Sequence, residues 1–231
     1  MCRTRGSNTL QLPRNEKWQI ETASTTAAQM HAKDFVAERS IWNVIISDTA
    51  LVLGSNQRIA VVDVEACAGA NVAVVHRRTG GGAVYLEAGK HLWVDVIVPR
   101  GDTLWNDDVV VSSQWLGDVW CRVLGSFGYV DLDVHRLPLK PATWSKLVCF
   151  AGVGPGEVLI NGVKAVGISQ RRSREFARFQ CFLHRKWTPE KFLPLLFQPR
   201  PSEFEIHDLV AVVDHDPNRM FEAFVVEMNK I

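Results

Sequence analysis

The chain has 231 residues, 47% of them hydrophobic and 22% charged, the balance of a globular protein that can bury a core without disulfide or metal staples. Lys and Arg number 26 against 25 Asp and Glu, so no net field points to nucleic acid or a membrane surface as a partner. Five cysteines form no CxxC pair, the opening MCRTRGSNTLQLPRNEK has no apolar leader segment, and no apolar run nears the roughly 20 residues of a spanning helix. The expectation is a cytoplasmic protein with reduced thiols and no zinc site.

Residues 1–24 are polar and without sustained periodicity, and read as a loosely packed arm before a single domain over 25–231. TTAAQMHAKDFVAE (25–38) predicts a first helix. IWNVIIS (41–47) and ALVLGS (50–55) predict short strands, and AVVDVEACAGA (60–70) a helix ending at its glycines. AVYL (83–86) and HLWVDVIVP (91–99) read as strands, the second well buried. Residues 104–128 carry apolar residues at helical spacing, with Asp102 or Thr103 as N-cap. Residues 146–183 return to strands, with Asn161-Gly162 as a hairpin signal. Helices over 189–198, 202–213 and 216–229 close the chain, each with a proline near its start. Blocks of strands with helices between and after them predict an α+β fold with a mixed β-sheet flanked by helices.

Three stretches carry chemistry. RRTGGGAV (77–84) joins three glycines to two arginines and a threonine. Free backbone N–H groups beside guanidiniums suit a phosphate or carboxylate, and glycine lets a ligand approach the backbone. The stretch is neither a dinucleotide fingerprint nor a Walker loop. Lys164 sits inside the apolar segment VKAVGIS, where an ammonium needs a partner, and Gly167, Ser169 and Gln170 follow at once. Cys149 precedes a loop containing Gly152, Gly154, Pro155 and Gly156 and is either an inert buried thiol or a nucleophile activated by a nearby cation. Cys67, Cys121 and Cys181 read as packing.

Together with Val52-Leu53-Gly54-Ser55-Asn56-Gln57, the Arg77–Val84 stretch and the pattern Gly162, Lys164, Gly167, Gln170, Arg171, Arg172 resemble, in order, the lipoate–protein ligase A and octanoyltransferase family, related to the catalytic domain of biotin–protein ligase. The resemblance implies a fold like the class II aminoacyl-tRNA synthetase catalytic domains. It implies a lipoyl or octanoyl tail in an apolar tunnel, activated with ATP and Mg2+ as an acyl-adenylate, with no metal ligands assigned. Arg77, Arg78, Thr79, Gly80, Gly81, Gly82, Ala83, Gly167, Ser169 and Gln170 would hold the acyl-adenylate, and Lys164 would contact its carbonyl and phosphate oxygens. The acceptor would be a lysine on a lipoyl carrier domain of a 2-oxoacid dehydrogenase or a glycine cleavage H protein, with an accessory subunit as a further partner. The alternative is an octanoyltransferase. Cys149-Phe150 lies 15 residues before Lys164, a spacing found in one transferase branch. There Cys149 would take octanoyl from an acyl carrier protein as a thioester, and Lys164 would assist. The sequence departs from the family where Leu86-Glu87 replaces a histidine and an acidic residue and Gly89-Lys90 replaces Gly-Asn. The missing histidine motivates a third reading, a lipoate-binding homologue without turnover.

Overall fold

The computed structural model describes residues 17–231. In chain order these form β1 (Gln19–Thr25), α1 (Ala27–Ala32), β2 (Ser40–Ile46), β3 (Ala50–Leu53), α2 (Val64–Gly69), β4 (Ala73–His76), β5 (Val84–Leu86) and β6 (His91–Pro99). There follow α3 (Gln114–Ser126), β7 (Leu132–Val134), β8 (Val158–Ile160), β9 (Val163–Arg172), β10 (Phe176–His184), α4 (Pro189–Phe192), α5 (Glu203–Ile206) and α6 (Pro217–Met228). Seven strands make a mixed sheet in the order β1-β2-β6-β10-β9-β8-β7, parallel only between β1 and β2. A second sheet has the order β4-β3-β5.

The large sheet is covered on both faces, which explains the near-continuous apolar run of β6. Val94, Val96 and Val98 of β6 join Phe179, Cys181 and Leu183 of β10 in a core with Leu116, Val119 and Trp120 of α3 and Met220 and Phe224 of α6. The other face of β6 presents Trp93 to a cluster with Ala27 and Met30 of α1 and Ala50, Val52 and Leu86 of the small sheet. A third cluster lies behind the small sheet, where Leu51 and Leu53 meet Val148, Ala151 and Phe192. The predicted mixed sheet flanked by helices is the observed arrangement.

Several predicted boundaries differ. Residues 1–16 of the predicted arm lie outside the described residues, whereas Gln19–Thr25 is a strand whose side chains are mostly exposed. Its order comes from the ladder to β2, in register from Gln19↔Ser40 to Thr25↔Ile46, which no local periodicity announces. The helix predicted over 25–38 is only Ala27–Ala32. Thr26 caps it with Gln29 in a capping box, and Lys33 leaves it in an extended conformation. The helix predicted over 60–70 is broken at Asp63, which caps α2 through the Ala66 N–H.

Residues 104–113 are not helical. Asn106 accepts from the Asp108 N–H and Asp108 from the Val110 N–H, local bonds that compete with helix formation. Asp102 is not an N-cap but binds Arg39, with both side chains buried. The helices predicted over 189–198 and 202–213 shrink to α4 and α5, each followed by a single 3₁₀ turn. The helix over 216–229 is α6, capped by Asp216 with Pro217 at its first position. Among the described residues, no helix is long and apolar enough to cross a membrane, and Cys67, Cys121, Cys149 and Cys181 are unpaired.

Three histidines are packed into the interior. Burial, with Arg178 and Arg77 nearby, holds the His31 pKa down to about 3. Burial lowers His91 to about 4 and, with His91 and Lys164 adjoining, His184 to about 3. In the unfolded chain each titrates near its ordinary value of about 6.5, so below that pH the unfolded state binds more protons. Stability is therefore fully present above about pH 7 and falls as the pH drops toward 4, by about 1.4 kcal/mol per pH unit for each histidine. Urea midpoints should fall steeply from pH 7.5 to 5.5; equal midpoints would show that these rings are not held neutral.

Candidate functional site

The site begins at the β8–β9 hairpin. Asn161 and Gly162 both have positive φ, 50° and 77°, as a tight hairpin turn requires. The ladder carries a bulge at Val158/Leu159, after which Lys164 pairs with Leu159. Lys164 is 3% exposed, and its Nζ lies 2.7 Å from Oε2 of Glu157, which is also buried. Nζ also donates to the carbonyls of Gly152, at 3.0 Å, and Cys149, at 3.3 Å, and sits 4.7 Å from the Phe150 ring centre. Glu157 in turn accepts from the Gly154 and Ile168 N–H groups. The lysine thus pins the 149–157 loop onto β9, and Gly167 leaves room for it: a Cβ there would lie 3.3 Å from the Lys164 Cε and from Phe150.

The same loop is fastened on its other side to the glycine triplet. Ala83 donates to the Leu147 carbonyl and accepts from the Cys149 N–H. Gln57 accepts from the Gly54 N–H and donates to the carbonyls of Lys146 and Leu147. Close packing around the triplet explains three glycines. A Cβ on Gly54 would fall 1.9 Å from the Gly81 carbonyl oxygen, and one on Gly82 would fall 2.6 Å from the backbone of Val148. Gly81 has φ +100°, and a Cβ there would meet the Arg77 guanidinium at 2.9 Å. Only Gly80 faces open space. The close approach that excludes side chains is therefore, at Gly54 and Gly82, one of backbone to backbone.

Arg77 is 6% exposed. It folds back to donate to the Gly80 and Gly82 carbonyls and places Nη2 3.7 Å from the Cys149 sulfur. Among the described residues it has no carboxylate partner, so its buried charge favours an anion nearby. The amides of Gly80, Gly81 and Gly82 likewise donate to nothing among the described residues.

Two cavities meet here. A largely apolar cleft runs between the sheets, past Val52, Val84, Leu86, Trp93 and Phe182, with Arg77 and Gln180 also in its wall. A second cleft, the more polar of the two, is walled by Gly80, Gly81, Gly82, Gly152, Lys164 and Gln170. Cys149, Glu157, Ile168 and Ser169 belong to both, so a chain lying in the apolar cleft would present its end at Cys149.

Most of the predicted site residues converge at this junction. Thr79 donates to Ser169 and Gln180 beside it. Gln170 lines the polar cleft, but its side chain also ties down the 104–113 loop through Ser112 and the Val109 carbonyl. Arg78 is not brought in and pairs with exposed Asp34; Ala83 is spent on the bridge to Val148. Glu157 and His31 were not among the sequence candidates. Glu157 is signalled by the need of a lysine in an apolar strand for an acid on the opposing arm of the hairpin. Nothing local marks His31.

Metal chemistry finds little footing. No group of three or more His, Cys, Asp or Glu among the described residues could hold a metal ion. The cleft's one lining carboxylate, Glu157, already accepts three hydrogen bonds or ion pairs. A Mg2+ ion at this cleft would have to ride on a nucleotide's own phosphates.

Residues 17–217 match the family model described as the lipoyl protein ligase A/B catalytic domain. No curated protein matches the sequence. Among solved structures, lipoate-protein ligase A bound with ATP is 15% identical with a TM-score of 0.70, over 93% of this chain and 85% of that one. A putative lipoate protein ligase from Thermoplasma acidophilum with bound lipoic acid is also 15% identical, with a TM-score of 0.67, over 93% and 86%. LipL1 of P. falciparum in complex with lipoate is 12% identical with a TM-score of 0.64, over 92% and 62%.

The two outer glycines of the triplet should respond oppositely to alanine. Gly82→Ala drives a Cβ into the Val148–Cys149 backbone and should cost roughly 1–3 kcal/mol of stability. Gly80→Ala should leave the thermal midpoint unchanged. Equal midpoints for the two variants would contradict the backbone-contact account. Glu157→Gln leaves Lys164 buried without its counter-charge and should cost roughly 3–5 kcal/mol in urea unfolding; a loss below about 1 kcal/mol would mean that Lys164 does not depend on this pair.

Proposed function

The chain belongs to the lipoyl protein ligase A/B catalytic-domain family, and from that premise we propose that it attaches a lipoyl-type acyl group to a lysine of a lipoyl carrier domain. The observation that carries this reading is the junction at Cys149, where an apolar cleft suited to a tail opens into a polar cleft suited to a charged head. The unpaired amides of Gly80–Gly82, the Arg77 guanidinium and Lys164 surround the place where the acyl carboxyl would lie, and preorganised donors there offset the charge that develops on its oxygens.

In the adenylate route, a lipoate oxygen attacks the α-phosphorus of ATP and pyrophosphate leaves. The acceptor lysine's neutral amine then attacks the acyl carbon, AMP leaves, and the amine loses a proton. Bound ATP and lipoate in structures of the same fold support this route. The carrier-domain acceptor is supported by a related fold in a bi-partite lipoate protein ligase of Thermoplasma acidophilum, described with its E2 lipoyl domain.

One observation favours the second route, in which Cys149 carries octanoyl as a thioester. Its sulfur lies at the junction, 3.7 Å from a cation that would steady a thiolate. Against it, Lys164 bonds the Cys149 carbonyl rather than the sulfur, and no proton acceptor is bonded to that sulfur among the described residues. The adenylate route therefore ranks first.

The intact mass of an apo lipoyl domain separates the two. A lipoyl gain with lipoate, ATP and magnesium, kept by Cys149→Ala, is the expected result. An octanoyl gain only from octanoyl carrier protein without ATP, lost in Cys149→Ala, would overturn the first route. The paired change Lys164→Met with Glu157→Gln strands no charge and should lower transfer at least about 100-fold; near-normal turnover would remove Lys164 from the site.

A further inference from the structure

Among the polar side chains that line the apolar cleft, His31 and Gln180 are not used by acyl transfer, and Gln180 is bonded by Thr79. His31, in the last turn of α1 and 6% exposed, lies against the Trp93 indole with ring centres 4.9 Å apart. It lines the cleft with Val52, Val84, Leu86, Trp93 and Phe182. None of these six belongs to the polar cleft, so His31 lies on the stretch of the apolar cleft outside the shared lining, along which a tail would run.

Neither ring nitrogen of His31 has a hydrogen-bond partner among the described residues. Burial and the neighbouring guanidiniums keep the ring uncharged, so it offers one N–H donor and one bare nitrogen. A saturated octanoyl tail can pair with neither group. A tail that ends in a disulfide ring brings sulfur, a weak acceptor for the N–H. Sulfur also packs favourably against aromatic rings, and Trp93 and Phe182 supply them here.

We propose that His31 is a specificity-determining residue that makes the cleft select a sulfur-bearing lipoyl tail over a saturated octanoyl tail of similar length. The inference rests on the acyl-transfer reading and names the substrate class of that same site.

The test is calorimetric binding of free lipoic acid and octanoic acid to the wild-type chain, to His31→Phe, which keeps a ring against Trp93, and to His31→Gln, which keeps an N–H donor. The expected result is wild-type binding of lipoic acid at least tenfold tighter than octanoic acid. In His31→Phe the ratio should fall to near one through weaker lipoate binding, and in His31→Gln it should be partly kept. A wild-type ratio near one, or a full ratio in His31→Phe, overturns the role of His31 and leaves acyl transfer standing. Binding of neither acid to the wild-type chain overturns both. Should His31→Phe fail to fold, the wild-type ratio and His31→Gln decide: a ratio near one in either overturns the proposal.

Discussion

The buried ion pair between Lys164 and Glu157, 2.7 Å apart, is the contact on which the rest of the site depends. An ammonium in the interior is tolerable only with a carboxylate and further acceptors around it, and here the Gly152 and Cys149 carbonyls complete the set. Meeting that demand draws the 149–157 loop onto β9. Once there, the loop meets the glycine triplet from the other side, through Ala83, Leu147 and Gln57. One electrostatic requirement thereby fixes the position of Cys149, the openness of Gly80 and the place where the two clefts join.

The triplet's composition follows from this arrangement more than from the ligand. Gly82 is glycine because a neighbouring backbone runs against it, Gly81 because of its positive φ and the guanidinium above it, and Gly80 alone looks into open space. Gly54, the residue directly after β3, is held to glycine by the backbone of Gly81. Arg77 serves the loop first, clamping the Gly80 and Gly82 carbonyls, and its charge then remains unopposed at the junction. A segment can thus be built for its own packing and still leave three amides without acceptors among the described residues and a cation beside Cys149.

The sequence made some of this legible and not the rest. β6 was readable because a strand buried on both faces is apolar throughout, and the Asn161-Gly162 turn because few residues accept its dihedrals. The glycine triplet, Lys164 and Cys149 stood out because their residue types are costly or odd in apolar surroundings, and the structure brings them together. β1 escaped because its order comes from a partner in β2 rather than from its own exposed side chains. The 104–113 segment has helical spacing, yet Asn106 and Asp108 fold it locally into turns. Glu157 and His31 matter only through neighbours distant in the chain. Leu86 and His31 both become part of the apolar cleft wall.

The most direct measurement is a crystal structure of the protein with lipoic acid. The account predicts the tail between Trp93 and Phe182 and the carboxylate within hydrogen-bond distance of the Gly80–Gly82 amides or the Arg77 guanidinium, beside Cys149. Lipoic acid bound with its carboxylate at His31, or outside the junction altogether, would contradict it.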